Sequence, residues 1–232
     1  NGTVTPTVVR LNPNGSVESK STFDIGSGAS AAAMSSRLQT DGKILIMGGF
    51  ARWNESDTGR PLRLNPNGSK DTSYSVGSGG NGEVHVQLGD GRQGIGGSFT
   101  TFNGTARKRV VRLANGPASQ TLQALGAAQV QWLRSGTAPE VQFVTFELST
   151  DGGSNWTMLG NGTRIAGGWE RTGLSLPATG KLRVRGRIPA GYTSGSGLLE
   201  QVADFDQAVT VPVIGSPTSS SLTTKSATLG GD

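Results

Sequence analysis

The heptapeptide RLNPNGS occupies residues 10–16 and again residues 63–69, and a divergent copy, RLANGPA, occupies residues 112–118. Successive copies begin 53 and 49 residues apart, a spacing typical of propeller blades and related β-repeats. Units of this kind cannot bury an apolar face alone and must stack on their neighbours. The repetition therefore predicts tandem β-units over the first half of the chain.

Each repeat contains four candidate strands, which in the second copy are residues 62–64, 83–88, 93–99 and 108–113. Strand-forming residues come in short runs, and no segment has sustained helical periodicity. Between the runs, asparagine or aspartate precedes glycine, a pair that readily adopts tight turns with positive φ. Structural turns are therefore predicted at Asn14, Gly15, Asn67, Gly68, Asp41, Gly42, Asp90 and Gly91.

The motifs recur in a fixed order: DIGSGAS at 24–30 matches SVGSGGN at 75–81, and DGKILIMGGF at 41–50 matches DGRQGIGGSF at 90–99. This order resembles the delta-sixty repeat, a β-propeller repeat of secreted bacterial proteins. The resemblance covers residues 1–117 and implies propeller-like units. Two full repeats cannot close a propeller, so further blades or another chain are expected at the open edges.

A second strand pattern begins at residue 118, with alternating apolar residues at 141–148. About six strands over residues 118–215 predict a small β-sandwich. The pattern resembles the fibronectin type III-like module that often follows such repeats. The expected fold class is therefore all-β, with incomplete propeller-like β-repeats followed by an immunoglobulin/fibronectin-like β-sandwich.

The segment STDGGSNWT at 149–157 resembles the Asp-box hairpin of sialidase-like β-proteins. Ser149, Asp151, Gly153 and Trp156 match that motif, whereas Asn155 stands where the motif has threonine. The resemblance implies a surface turn in which the carboxylate accepts backbone N–H groups and the tryptophan packs beneath. It does not imply sialidase activity.

Residues 216–232 form a Ser/Thr-rich tail, which is interpreted either as a linker or as the first strand of a following module. A lone strand leaves backbone groups unpaired, so the tail is expected to pair with a sheet edge of this chain or of a neighbour. The predicted pairing residues are Ser221, Leu222, Thr223, Thr224, Lys225, Ser226, Ala227, Thr228 and Leu229.

Four cations, Lys181, Arg183, Arg185 and Arg187, alternate with other residues and are predicted to share one face of a strand. Such a basic stripe would suit an acidic polysaccharide; the alternative is a solvated face whose charge blocks edge pairing. The four tryptophans provide other carbohydrate contacts: Trp53, Trp132, Trp156 and Trp169.

No catalytic residue, metal site or cofactor is predicted, and the chain is expected not to be an enzyme. His85, the only histidine, alternates with Val84 and Val86 and is expected to point away from the apolar face. There is no cysteine or second histidine to complete a transition-metal site. A glycosidase would require two carboxylates facing each other across a cleft.

The formal net charge of +5 comes from the repeats, which hold thirteen Lys and Arg against eight Asp and Glu within residues 1–117. No aromatic platform accompanies these cations, so a nucleic-acid partner is not expected. No apolar run is long enough for a membrane span. The leading hypothesis is a structural or adhesive module of a large extracellular or cell-surface bacterial protein, with self-association or neighbouring modules as partners. Fibre assembly through open strand edges extends this hypothesis, and a carbohydrate-binding module is the alternative.

Overall fold

A computed structural model describes residues 8–80, 82–189 and 196–207, together with the backbone of residues 218–223 and 226–230. The described residues form strands and turns without helix, and the predicted all-β fold is confirmed. The strands are β1 Ala33–Leu38, β2 Ile44–Gly48, β3 Arg52–Trp53, β4 Ser56–Asp57, β5 Leu62–Leu64, β6 Gly82–Gln87, β7 Gln93–Gly97, β8 Thr101–Phe102, β9 Thr105–Ala106, β10 Val110–Leu113, β11 Ala118–Ala124, β12 Gln129–Gly136, β13 Phe143–Ser149, β14 Thr157–Asn161, β15 Thr163–Ile165, β16 Gly168–Thr172, β17 Thr179–Ile188, β18 Gly197–Asp206, β19 Thr218–Thr223 and β20 Ser226–Gly230.

The repeats form two antiparallel three-stranded sheets, β1-β2-β5 and β6-β7-β10, which we call blade 1 and blade 2. Each blade takes its third strand from the start of the next repeat, because Leu62 to Leu64 pair with β2. The strands from 101 to 106 form a separate ribbon, as do those from 52 to 57. Each blade therefore has three strands rather than four, because the candidate strand that opens a repeat pairs with the sheet of the repeat before it.

Blade 2 stacks on blade 1 through an apolar cluster. Met47 from the central strand of blade 1 packs with Ile95 from the central strand of blade 2, and Phe99 and Phe102 complete the cluster. On its other side, blade 1 contributes Ile46 to a second cluster with Phe23, Ile25, Phe50 and Trp53. The repeats therefore form a short stack of blades with open sheets, as expected for incomplete propeller-like units.

Residues 118–206 contain two four-stranded sheets, ordered β11-β12-β16-β15 and β14-β13-β17-β18, that pack as a β-sandwich. In β13, Val144 and Phe146 face the core while Phe143 is 71% exposed, so the predicted alternation is present in this strand. Val141 also lies in the core, although it precedes the strand. The core of the sandwich contains Trp132, which fills the space between the sheets.

The tail strands β19 and β20 pair with each other in a two-stranded sheet. Among the described strands, neither has a neighbour in another sheet of this chain. The predicted pairing with an edge of this chain's own sheets is therefore replaced by a hairpin, because two adjacent strands can satisfy each other's backbone groups. Pairing with a neighbouring chain stays a prediction, and residues 224 and 225 lie outside the described residues. Within the described part of the chain, no helix is long and apolar enough to cross a membrane.

Candidate functional site

The repeated Asn-Gly turns have matching geometry in the two copies. Asn14 Oδ1 accepts the N–H of Ser16 at 3.0 Å, and Asn67 Oδ1 accepts the N–H of Ser69 at 3.1 Å. The glycines that follow have φ of 82° and 90°. In the second kind of turn, the Asp41 and Asp90 carboxylates each accept the N–H two residues onward at 3.0 Å. Gly42 and Gly91 follow them with φ of 78° and 84°.

The arginine that opens each RLNPNGS motif joins one repeat to the next. Arg10 Nη1 donates to the carbonyl oxygen of Pro66 at 2.7 Å, and Arg63 Nη1 donates to that of Asn115 at 3.0 Å. Pro66 and Asn115 occupy equivalent positions in successive turns. Repetition of this motif therefore has a second cause beside turn formation: its arginine links consecutive units.

Each of these arginines also contacts an acidic and an aromatic side chain. Arg10 pairs with Glu18 and its guanidinium lies 4.5 Å from the centre of the Phe23 ring. Arg63 pairs with Asp71 and lies at the same distance from the Tyr74 ring. Stacking and ion pairing together fix the guanidinium plane.

Around Arg63 these contacts form a buried polar network between the blades. Lys43 Nζ donates to Asp71 at 2.7 Å, and the Asn115 amide donates to Gln39 at 3.2 Å. Burial alone would raise the pKa of Asp71, but hydrogen bonds from Lys43, Ser73 and Arg63 outweigh it and hold that pKa well below its usual value. Asp71 is therefore ionised at neutral pH.

The same network contains His85, for which the predicted orientation was wrong. His85 is 4% exposed, whereas Val84 and Val86 are 66% and 48% exposed. Its Nε2 lies 2.9 Å from Gln93 Oε1, and the Gln93 amide donates to the Tyr74 hydroxyl at 2.8 Å. Because the surface that blade 2 presents to blade 1 is partly polar, the histidine rather than the valines points inward.

Further contacts bring the repeats against the sandwich. The Gln87 amide donates to the carbonyl oxygen of Thr137 at 2.5 Å. Thr40, in the turn between β1 and β2, donates through its N–H to Ala138 at 2.9 Å and through its hydroxyl to Gly136 at 2.9 Å. The loop at 136–139 is thus held by both blades.

The outer face of blade 2 is apolar and exposed. Val84 and Val110 flank Gly96 across the sheet, and they are 66% and 68% exposed. Gly94 and Gly96 are equivalent in sequence to Leu45 and Met47 of blade 1. Leu45 and Met47 lie beneath blade 2 and are only 0% and 1% exposed. Blade 2 therefore exposes a face with valine ridges on its outer strands and a glycine trough on its central strand. The equivalent face of blade 1 is buried.

The basic stripe shares one face of β17, and three of its four cations have acidic partners. Lys181 pairs with Asp204, Arg183 with Glu147, and Arg185 with Glu200. These acids come from strands β13 and β18 on either side. Arg187 has no ion pair within the described part of the chain, and it lies between the exposed side chains of Phe143 and Leu198.

The predicted Asp-box residues lie in the β13–β14 turn. Ser149 Oγ donates to Asp151 at 2.7 Å and accepts the N–H of Gly153 at 2.9 Å. Asp151 accepts the Asn155 N–H at 2.9 Å. Hydrogen bonds from Asn155 and Ser149 lower the pKa of Asp151 to about 2. The Trp156 ring packs under Arg183, whose guanidinium lies 4.2 Å from its centre. Kinship with the Asp box stays a prediction.

Two of the tryptophans considered as carbohydrate contacts are buried, and that part of the prediction was wrong. Trp53 is 1% exposed and Trp132 is 0% exposed. Trp53 fills the core between blade 1 and the segment that contains Phe23 and Ile25, and Trp132 fills the core of the sandwich. Trp156 and Trp169 are half-buried.

The linking role of Arg63, with its partners Asp71 and Asn115, was not predicted from the sequence. A signal was available, because the arginine recurs at the same place in each copy of the motif. Among the described residues, no cluster of three or more His, Asp or Glu side chains is placed to hold a metal ion.

Stacked three-stranded blades followed by a sandwich define an all-β protein with propeller-type repeats. The family model described as "Domain of unknown function (DUF5122) beta-propeller" matches residues 39–74. This stretch runs from the first β-turn of blade 1 to Tyr74 and includes Arg63 and Asp71. A search of curated proteins and a search of solved structures each returned no match.

Proposed function

We propose that this chain is a non-enzymatic structural or adhesive module of an extracellular or cell-surface bacterial protein, and that it self-associates. The single observation that supports this most is the outer face of blade 2. Val84, Val86 and Val110 are all about half exposed or more, on a sheet face whose equivalent in blade 1 is buried by another sheet. Apolar faces of this kind mark interaction surfaces.

The occupant we propose is the same face of a second copy. The valines on the outer strands and the glycines on the central strand form ridges and a trough, so that two such faces interdigitate after a small offset. A two-fold pairing of identical surfaces is the commonest arrangement in oligomers. Fibre growth would require a second contact, for which the exposed strand edges and the tail are the candidates.

Light scattering coupled to size-exclusion chromatography tests this proposal. We expect a dimer or a larger series for the full chain, and a monomer for Val84→Glu, because a buried unpaired carboxylate opposes pairing. Val202→Glu is the matched control, since Val202 is also exposed but lies on the sandwich strand β18. A monomeric parent chain, or equal effects of the two substitutions, would overturn the proposal.

Carbohydrate binding by the sandwich is a second candidate, which the surroundings of Arg187 favour. Phe143 is 71% exposed and lies opposite this cation on the neighbouring strand, and the cation has no acidic partner among the described residues. An aromatic ring and an arginine together suit an acidic sugar. A glycan array that includes anionic polymers tests this, with Arg187→Gln expected to abolish any signal and Arg107→Gln, at an exposed site on the repeats, expected to preserve it.

A further inference from the structure

The turn that follows β5 folds the chain back over the outer edge of that strand. Leu64 forms an antiparallel bridge with Lys70, and the Asp71 N–H donates to the carbonyl oxygen of Arg63 at 2.9 Å. We call this returning segment, residues 69–71, the strap. The first repeat has the same two contacts, from Leu11 to Val17 and from Glu18 to Arg10.

The third copy of the motif has no strap. The reversal in the second copy passes through Gly68, which has a φ of 90°. Pro117 occupies the equivalent position in RLANGPA, and its ring fixes φ at about −65°. The chain therefore continues into the sandwich, where Gln120, the equivalent of Asp71, pairs with Arg134 of β12. Among the described strands, β10 has β7 as its only neighbour, so its outer edge is uncovered.

Without a strap, the arginine of the third motif lacks the acidic partner of its equivalents. Arg63 pairs with Asp71 of the strap, whereas Arg112 would meet the uncharged Gln120 at that position. Arg112 is exposed, and it takes part in no ion pair within the described ranges. Its backbone carbonyl oxygen, equivalent to the one that the strap engages, lies on the uncovered edge.

Two further cations immediately precede β10. Lys108 and Arg109 are exposed and, like Arg112, have no ion pair among the residues that the structure describes. The carboxylate of Asp90 is already engaged, because hydrogen bonds from Arg92 hold it and lower its pKa. Charge on an edge strand opposes pairing with a strand of like charge, but it attracts a strand of opposite charge.

We propose that the outer edge of β10 binds an extended acidic peptide strand of a partner protein, in the position that the strap takes in the earlier repeats. The incoming strand donates a backbone N–H to the carbonyl oxygen of Arg112 and places a carboxylate against the guanidinium, as Asp71 does for Arg63. Strand addition of this kind gives affinity through the main chain and specificity through alternate side chains. This partner differs from the second copy that we propose for the outer face of blade 2.

The geometry of the strap also indicates what the incoming strand contains. An antiparallel strand that opposes Arg112 runs on towards Arg109 and Lys108, so further carboxylates suit its C-terminal half. Val110 is 68% exposed beside Arg112, and a valine two residues after the first carboxylate would lie on the same face. Free backbone groups and an apolar neighbour favour a peptide over a polysaccharide, which has neither a row of amide donors nor aliphatic side chains.

Fluorescence anisotropy with the full chain and a labelled, C-terminally amidated peptide SVESVEE tests the proposal at low ionic strength. Its first glutamate is the residue that opposes Arg112. We expect saturable binding that weakens as salt is added, and binding about 10-fold or more weaker for the neutral peptide SVQSVQQ. If SVESVEE does not bind at up to about 1 mM, the cations only protect the edge from pairing and the proposal is overturned.

Backbone methylation separates strand addition from attraction by charge alone. N-methylation of the first glutamate keeps every charge but removes the N–H that faces β10, so we expect binding about fivefold or more weaker. N-methylation of the following serine is the matched control, because its N–H points away from β10 and binding should be preserved. Equal affinities of the two methylated peptides would refute the proposed pairing.

A matched pair of protein variants tests the location of the site. Arg112→Gln should weaken binding of SVESVEE about fivefold or more. Lys20→Gln removes the same charge at another exposed cation that has no ion pair in the described part of the chain, and it should leave binding unchanged. Both side chains are exposed, so both variants are expected to fold. Equal effects of the two substitutions would show that the peptide does not bind at β10.

Discussion

Arg63 Nε donates to Asp71 Oδ2 at 2.8 Å, and the two side chains are only 8% and 5% exposed. The equivalent pair one repeat earlier, Arg10 and Glu18, has a similar distance of 2.7 Å but side-chain exposures of 37% and 19%. One repeated motif thus produces a buried ion pair between two blades and a more exposed one beside them. This difference in burial makes the contributions of the two pairs to stability separable.

Asp71→Asn is expected to lower the free energy of unfolding of the repeats by about 3–5 kcal/mol, because it leaves Arg63 buried without its counter-charge. The matched substitution Glu18→Gln should cost about 1 kcal/mol or less, since solvent screens a partly exposed pair. Urea unfolding of both variants, followed by circular dichroism, measures the difference. Equal losses would contradict a special role for the buried network.

His85 predicts a pH dependence of stability. Burial lowers its pKa to about 4 from the ordinary value of 6.5, an effect that the hydrogen bond with Gln93 only partly offsets. The unfolded chain therefore binds the proton more readily than the folded chain, and stability falls as pH drops from 6.5 towards 4. Between pH 7.5 and pH 5 the expected loss is about 2 kcal/mol.

Urea unfolding at these two pH values measures that loss. His85→Gln removes the titrating group while it keeps a polar side chain, so its stability should change much less over the same interval. A parent chain and a variant with the same pH dependence would show that His85 does not control it.

The contact between Gly77 and Asn103 predicts a steric effect within the second repeat. Gly77 has φ of 65°, and a Cβ there would lie 2.0 Å from Asn103 Oδ1. Gly104 has a similar φ of 72°, but a Cβ there would meet nothing within 4 Å. Alanine at either position incurs the backbone cost of about 1–2 kcal/mol, and only Gly77→Ala also displaces Asn103.

We therefore expect Gly77→Ala to destabilise the chain by about 1 kcal/mol more than Gly104→Ala. The displaced amide would lose its hydrogen bond from the Ser78 N–H, which is 3.3 Å long. Thermal unfolding of the two variants gives the comparison. In an Asn103→Ala background the difference in stability between the two variants should become smaller. A difference that stays the same would show that the contact with Asn103 is not its cause.

Asp151 is expected to titrate near 2, because the Asn155 backbone and side chain and the Ser149 hydroxyl all donate to its carboxylate. Carboxyl ¹³C chemical shifts recorded during an acid titration measure this pKa directly. Asn155→Ala should raise the pKa towards 3.8, the ordinary value for aspartate. The urea-unfolded chain provides the control, and a midpoint near 3.8 in the folded parent chain would show that the turn is not closed as described.

Much of the architecture follows from local sequence. The Asn-Gly and Asp-Gly pairs determine the turns at Gly15, Gly68, Gly42 and Gly91, because few other residues tolerate positive φ at such low cost. The repeat period indicates similar stacked units, and the alternation in 181–188 places its cations on one face. These features depend on neighbours in the chain and on backbone sterics, so that a single sequence is sufficient to predict them.

Tertiary structure alone decided what lies across from each of these residues. His85 and Val84 alternate in any strand, but only the packing of blade 2 on blade 1 determines that the histidine is inside. Likewise, register between separate strands places Glu147 and Glu200 beside Arg185, and stacking of distant segments places Arg134 in a core without a matching carboxylate. Burial and pairing depend on contacts between segments far apart in sequence, and local patterns specify neither the partner nor its side of the sheet.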